Sequence, residues 1–200
     1  MLFWLNYNNS NRYRYISGDD TFIGFDSSEI CPRCGRNIVT PKFREAIPHF
    51  ESDGGKIYPD YIQFCGAGKY PFIVSEKALS IFEENNVSGY NGATLVRVEP
   101  SGISSDGSQI RYFQLNIYGH VELDFKAMFL KKKNYCEVCG QYEWNRQRFY
   151  PRFIDESTWD GSDFAVATSV HWRLCSEKVN NIIQNHKLTG FVLTEARIRE

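Results

Sequence analysis

Six cysteines stand in the 200-residue chain, and four of them fall into two stretches of one pattern: Cys31-Pro32-Arg33-Cys34-Gly35 and Cys136-Glu137-Val138-Cys139-Gly140. Cysteines three positions apart can aim both sulfurs at one centre. A glycine after the second lets the backbone take positive φ and turn its amides toward those sulfurs. Four thiolates from two such knuckles make the closed tetrahedral set that structural zinc prefers, with Zn–S at about 2.3 Å. The expectation is one zinc per chain, held by Cys31, Cys34, Cys136 and Cys139. Two pairs of buried thiols, or a redox CxxC, are the alternatives. A redox CxxC usually opens a helix in a βαβ unit. Here Arg36-Asn37-Ile38-Val39 and Gln141-Tyr142-Glu143-Trp144 follow the glycines and read as strand or loop, which favours metal.

The knuckles lie 105 positions apart, far more than in a compact zinc ribbon, and an internal repeat accounts for the gap. Ser75 to Tyr90 aligns without a gap on Ser176 to Phe191, sharing Ser-Glu-Lys, an isoleucine and a glycine before an aromatic residue. Asp60 and Asp163 stand at similar distances ahead of the two Ser-Glu-Lys triplets. A period found by two independent motifs indicates duplication. Each half then reads as knuckle, strands, helix, strand. The expected fold is α+β: two antiparallel-sheet-plus-helix halves, residues 1–100 and 101–200, related by a pseudo-twofold and joined by a four-cysteine zinc site into one compact domain.

The elements that must position these residues follow from local chemistry. Ser75 and Ser176 are N-cap candidates, since a serine hydroxyl accepts from a first-turn amide. Glu76 and Glu177 then face the positive end of the helix dipole. Ala78, Ile81 and Phe82, and likewise Val179, Ile182 and Ile183, share one helical face. The Ser-Glu-Lys triplets therefore read as cap, dipole and surface charge rather than as catalytic machinery. Asp60 and Asp163 could form a general-acid pair, but the same structural task done twice, such as accepting turn amides, is the better reading. Residues 1–16 read as a hairpin turning at Asn8 to Asn11. Phe113, Leu115 and Ile117 alternate with polar residues, as do Val121, Leu123 and Phe125, and suggest a second antiparallel hairpin. Cys65 and Cys175 do not match within the repeat and read as core or incidental thiols, with Cys65 in Phe64-Cys65-Gly66 the alternative of a spare ligand. His49, His120, His171 and His186 fall in no ligand spacing.

Composition bounds the function. With 23 basic and 24 acidic residues the formal net charge is −1, so no global field draws the chain to nucleic acid or an anionic membrane. A hydrophobic content of 42% suffices for a core, and no run approaches the ~20 apolar residues of a membrane span. Met1 to Tyr7 lacks the basic region and long apolar run of a signal peptide. A cytoplasmic location follows as the expectation, where cysteines serve as thiols or metal ligands before disulfides. No dinucleotide fingerprint, phosphate loop or nucleophile elbow is present. Residues 131–152 interleave Lys131, Lys132, Lys133, Arg146, Arg148 and Arg152 with five aromatic residues beside the second knuckle, a combination that can track phosphates and stack bases.

The two CxxCG motifs, the run Trp159-Asp160-Gly161-Ser162-Asp163 and Val74-Ser75-Glu76-Lys77 together resemble the bacterial double-CXXCG motif family, over about residues 30 to 193 by the positions of the motifs. The resemblance implies a cytoplasmic immunity protein of a polymorphic toxin system, one that binds and neutralises a cognate toxin without catalysis. It carries over Cys31, Cys34, Cys136 and Cys139 and no catalytic residue. A zinc-containing nucleic-acid-binding regulator is the alternative. For a toxin with a basic cleft, an acidic patch would cap the cleft and speed association. Asp19, Asp20 and Asp26, in the one acid-rich stretch free of basic residues, are the candidate toxin-facing residues.

Overall fold

The structure, a computed structural model, describes residues 1–7, 29–35, 37–38, 57–62, 72–96, 109–128, 132–133, 136–138, 143–144, 153–167 and 172–198. Its strands are β1 (Leu2–Tyr7), β2 (Glu29–Ile30), β3 (Asn37–Ile38), β4 (Tyr61–Ile62), β5 (Phe72–Ser75), β6 (Tyr90–Val96), β7 (Tyr112–Ile117), β8 (His120–Leu123), β9 (Lys132–Lys133), β10 (Glu143–Trp144), β11 (Phe153–Asp155), β12 (Phe164–Ala167), β13 (Trp172–Ser176), β14 (Phe191–Glu195) and β15 (Arg197–Ile198). Two helices, α1 (Glu76–Glu84) and α2 (Glu177–Asn185), follow β5 and β13 directly. The chain is mixed α+β. One sheet runs β14-β1-β13-β12-β8-β11-β15 and a second runs β4-β5-β7-β6, with β2-β3 and β9-β10 as separate two-stranded pairs.

The two helix-bearing segments sit in matching surroundings. β5 pairs antiparallel with β7, Ser75 opposite Tyr112 and Val74 opposite Phe113. β13 pairs antiparallel with β1, Ser176 opposite Leu2 and Cys175 opposite Phe3. The strand after each helix lies on the other side of the same partner: β6 on β7, Tyr90 opposite Ile117, and β14 on β1, Phe191 opposite Tyr7. Thus β1 serves the helix that ends near residue 185, and β7 serves the helix that ends near residue 84.

The hairpin expected over Phe113 to Phe125 is replaced by long-range pairings, and the turn and second strand of the one expected over residues 1–16 lie outside the described residues. β1 runs between β13 and β14 rather than beside a following strand, and residues 8–16 lie outside the described residues. β7 and β8, close in sequence, belong to different sheets. β7 has β5 and β6 on its two edges, while β8 runs parallel to β12 and antiparallel to β11. The chain changes sheet at Gly119, where a Cβ would collide with the Phe164 carbonyl oxygen and the Ser162 side chain. Alternation marks which face of a strand is buried but does not name its neighbour.

Apolar faces close over these pairings. Ala78, Leu79 and Phe82 of α1 and Val179, Ile182 and Ile183 of α2 enter one core with Leu5, Tyr61, Phe72, Val74, Leu115 and Phe164. Phe164 lies at its centre, with ring centroids 4.9 Å from Phe72 and 5.3 Å from Phe82. Each such ring contributes on the order of 2 kcal/mol through burial. Leu2, Trp4, Val121, Leu123, Ile154 and Leu174 form a second core.

Candidate metal centre

The first knuckle is the tip of a hairpin. β2 and β3 pair with Ile30 opposite Asn37, and the intervening turn closes when the Gly35 amide donates to the Cys31 carbonyl at 2.9 Å. Gly35 has φ of +68°, in the left-handed region that glycine enters at little cost. The second knuckle likewise lies between paired strands, β9 and β10, with Lys133 opposite Glu143.

The two knuckles meet. The Cys31 and Cys136 sulfurs, 105 positions apart in sequence, stand 3.6 Å from each other. With the Cys34 sulfur they form a group of three ligand atoms all within 4.8 Å of one another. A tetrahedral site with metal–sulfur bonds of about 2.3 Å has sulfur–sulfur edges of about 3.8 Å, so this spacing suits one ion bound to all three. Cys31 and Cys136 are buried and Cys34 is half-buried, and none of the three is in a disulfide. The Cys31 thiol lies below its ordinary range. The Cys34 amide is the main cause, the Arg33 amide and the Cys34 thiol add to it, and burial and Cys136 oppose it. Outside the sulfurs, Arg33 Nη1 meets Glu137 Oε2 at 2.8 Å, one residue from each knuckle. Both side chains are exposed, so the pair orients the knuckles more than it stabilises them. The arrangement can hold a soft metal ion. Cys139, the fourth expected ligand, lies outside the described residues, as do Asp19, Asp20, Asp26 and Cys65.

A second polar constellation forms around the helix starts. Ser75 Oγ accepts from the Ala78 amide at 3.1 Å and donates to Asp60 Oδ1 at 2.7 Å. Ser176 Oγ accepts from the Val179 amide at 3.3 Å and donates to Asp163 Oδ1 at 2.7 Å. Each aspartate also reaches the turn after the other helix. Asp60 Oδ2 accepts from the Thr189 amide and hydroxyl at 2.8 and 2.9 Å. Asp163 Oδ2 accepts from the Ser88 amide and hydroxyl at 2.9 and 3.1 Å. The carboxylates are therefore cap and turn acceptors rather than a general-acid pair. Burial pulls the Asp163 carboxyl upward, but the Ser88 amide, the Ser176 hydroxyl, Lys178 and the Ser88 hydroxyl outweigh it and hold the group below the usual range.

A scan against protein-family models finds no match to this sequence, and none of the curated proteins matches it. The remaining candidates resolve individually. Cys175 is fully buried in the main core, and burial first, then the Asp163 carboxylate, push its thiol far above the ordinary range. It is a core thiol. His120 Nδ1 lies 3.1 Å from Asp160 Oδ2 on the surface, and His186 is the exposed C-cap of α2. His49 and His171 lie outside the described residues. Sequence reasoning did not match β1 to β7 as equivalent strands. The signal was present, since Phe3-Trp4-Leu5-Asn6 and Phe113-Gln114-Leu115-Asn116 share three of four residues.

Proposed function

We propose that the chain is a cytoplasmic, non-catalytic immunity protein that binds a cognate toxin and blocks it, built on a structural zinc held by Cys31, Cys34, Cys136 and Cys139. The observation that carries the reading is the convergence of sulfurs from two CxxCG knuckles 105 positions apart, the motif on which the resemblance to the double-CXXCG family rests. The commitment of Asp60 and Asp163 to caps and turns agrees with a protein whose recurring polar residues support the scaffold. We further read the chain as a duplication of residues 1–100 and 101–200 about a pseudo-twofold. The matched registers of β5 on β7 and β13 on β1 support this, as do the reciprocal aspartates. In this reading each half lends its first strand to the other.

The metal is tested by elemental analysis of protein purified without added zinc. About one zinc per chain is expected, and a ratio near zero with freely titrating thiols overturns the site. Structural zinc contributes on the order of 10 kcal/mol in small domains, so chelation should lower the melting temperature sharply. The function is tested by co-expression with the large secreted toxin expected to be encoded beside this chain. Growth rescue and co-purification support blockade, and toxicity undiminished by folded protein refutes it. We assign the toxin-facing surface to Asp19, Asp20 and Asp26. A triple Asp→Lys variant should keep its melting temperature and lose protection. The second reading, a zinc-containing nucleic-acid-binding regulator, draws on the basic and aromatic residues at 131–152 around the second knuckle. Salt-sensitive micromolar binding to RNA or DNA by fluorescence anisotropy would favour it.

A further inference from the structure

The three described knuckle sulfurs differ in a way that a purely structural metal site does not require. Cys31 and Cys136 are buried, 1% and 3% exposed, and their sulfurs are 3.6 Å apart across the two knuckles. Cys34 is half-buried and lies within 4.8 Å of both. The group thus has an outer thiol and an inner pair. Oxidants reach cysteines according to their exposure, and Cys34 is the most exposed of the described sulfurs, so it reacts first and the inner pair receives the product.

We propose that this cluster is also an oxidation site. A peroxide would be taken up at Cys34 and converted, by thiol exchange, into a disulfide between Cys31 and Cys136 that replaces the metal as the link between the knuckles. The steps balance. The Cys34 thiolate attacks hydrogen peroxide, the O–O bond breaks, and Cys34 becomes a sulfenic acid with release of hydroxide. The Cys31 thiolate attacks the Cys34 sulfur, expels a second hydroxide and forms a Cys31–Cys34 disulfide. The Cys136 thiolate, 3.6 Å from Cys31, then attacks the Cys31 sulfur and returns Cys34 as a thiolate. Overall two thiolates lose two electrons and one peroxide gains them. The end product ties residues 105 apart, where a disulfide within one knuckle would close only a four-residue turn. A cross-link over a loop of that length constrains the unfolded chain far more than one across a short turn. In the folded chain the inner pair already meets across the knuckles, its sulfurs 3.6 Å apart, so the exchange ends there.

The test uses the full chain, loaded with zinc, and hydrogen peroxide at about one equivalent. Three readouts are followed: zinc release to a chromogenic chelator, trapping of sulfenic acid with dimedone, and disulfide mapping of non-reduced peptides. The expected results are release of the bound zinc, a first dimedone adduct on Cys34, and a Cys31–Cys136 cross-linked peptide as the final product, reversed by dithiothreitol with zinc rebinding. A first adduct on any other cysteine, final disulfides confined to Cys31–Cys34 or Cys136–Cys139, or oxidation that leaves zinc in place would each overturn the proposal. In a Cys34→Ser variant the Cys31–Cys136 peptide should form at least about tenfold more slowly, because the entry thiol, the least buried of the three, is gone. Should that variant fail to fold, the adduct order in the parent protein still decides the matter. None of these readouts depends on the toxin.

Discussion

The starts of α1 and α2 are built from the same atoms, but a lysine closes on only one of them. At α1, Lys77 Nζ stands 3.8 Å from Asp60 Oδ2. At α2, Lys178 Nζ comes to 3.1 Å from Asp163 Oδ2 and also donates to the Asn86 carbonyl at 2.8 Å. The serine bonds to the aspartates are 2.7 Å in both places, and both aspartates take an amide and a hydroxyl from the opposite turn. The difference separates the joint into parts. Cap and turn bonds define its geometry, since they persist where the cation stands back. The lysine adds a charge-assisted contact on top of a geometry already set.

The two joints are challenged most severely through the backbone. Gly89 and Gly190 have φ of +94° and +87°. A Cβ on Gly89 would run into the Phe164 carbonyl, and one on Gly190 would come to 2.5 Å from the Tyr61 carbonyl oxygen. Gly89→Ala and Gly190→Ala should each destabilise by about 3 kcal/mol, combining left-handed strain with the clash. Chemical denaturation checks this, and equal losses would show that the two turns are equivalent. Asp163→Asn should come next at about 2 kcal/mol, since it weakens charge-assisted bonds to two hydroxyls, an amide and Lys178. Asp60→Asn should cost less, for want of a close cation, and reversal of that order would remove the role assigned to Lys178.

Acid acts on the same contrast. The folded Asp163 carboxyl lies below its ordinary value, so the unfolded chain binds more protons in the acid range. Its contribution is fully present above the unfolded pKa, about 4, and fades as pH falls through the folded value. The melting temperature should drop over that window, and Asp163→Asn should flatten the drop. The smallest effects belong to the hydroxyls. Ser75→Ala and Ser176→Ala should each cost about 1 kcal/mol as lost N-caps, with protection by the protein unchanged. Loss of protection in a folded serine variant would point to chemistry at Ser-Glu-Lys.

What could be read from the sequence was what local chemistry writes into it. Ser75 and Ser176 were legible as caps because a capping serine needs only its own helix. Cys31 and Cys34 were legible as a pair because thiol spacing is a property of the motif, and the recurrence of that motif pointed to Cys136 as their partner. Asp60 and Asp163 were recognisable as a recurring pair with a structural task. That each carboxylate serves the turn after the other helix was hidden, because Thr189 and Ser88 are set opposite them only by the sheets. The partners of β1 and β7 were hidden for the same reason. Leu2, Trp4 and Leu5 announce burial without saying that β13 and β14 supply it.

The position of β1 between β13 and β14 also orders events during synthesis. Leu2–Tyr7 is synthesised well before the strands on its two sides, which run through residues 172–176 and 191–195. At about 5–20 residues per second, some 10–40 s of translation separate β1 from its second neighbour. Throughout that interval the apolar side chains of Leu2, Trp4 and Leu5, buried in the finished fold, have no sheet to enter. The nascent chain therefore carries an adhesive strand, a natural client for a holding chaperone, until β13 and β14 have been made.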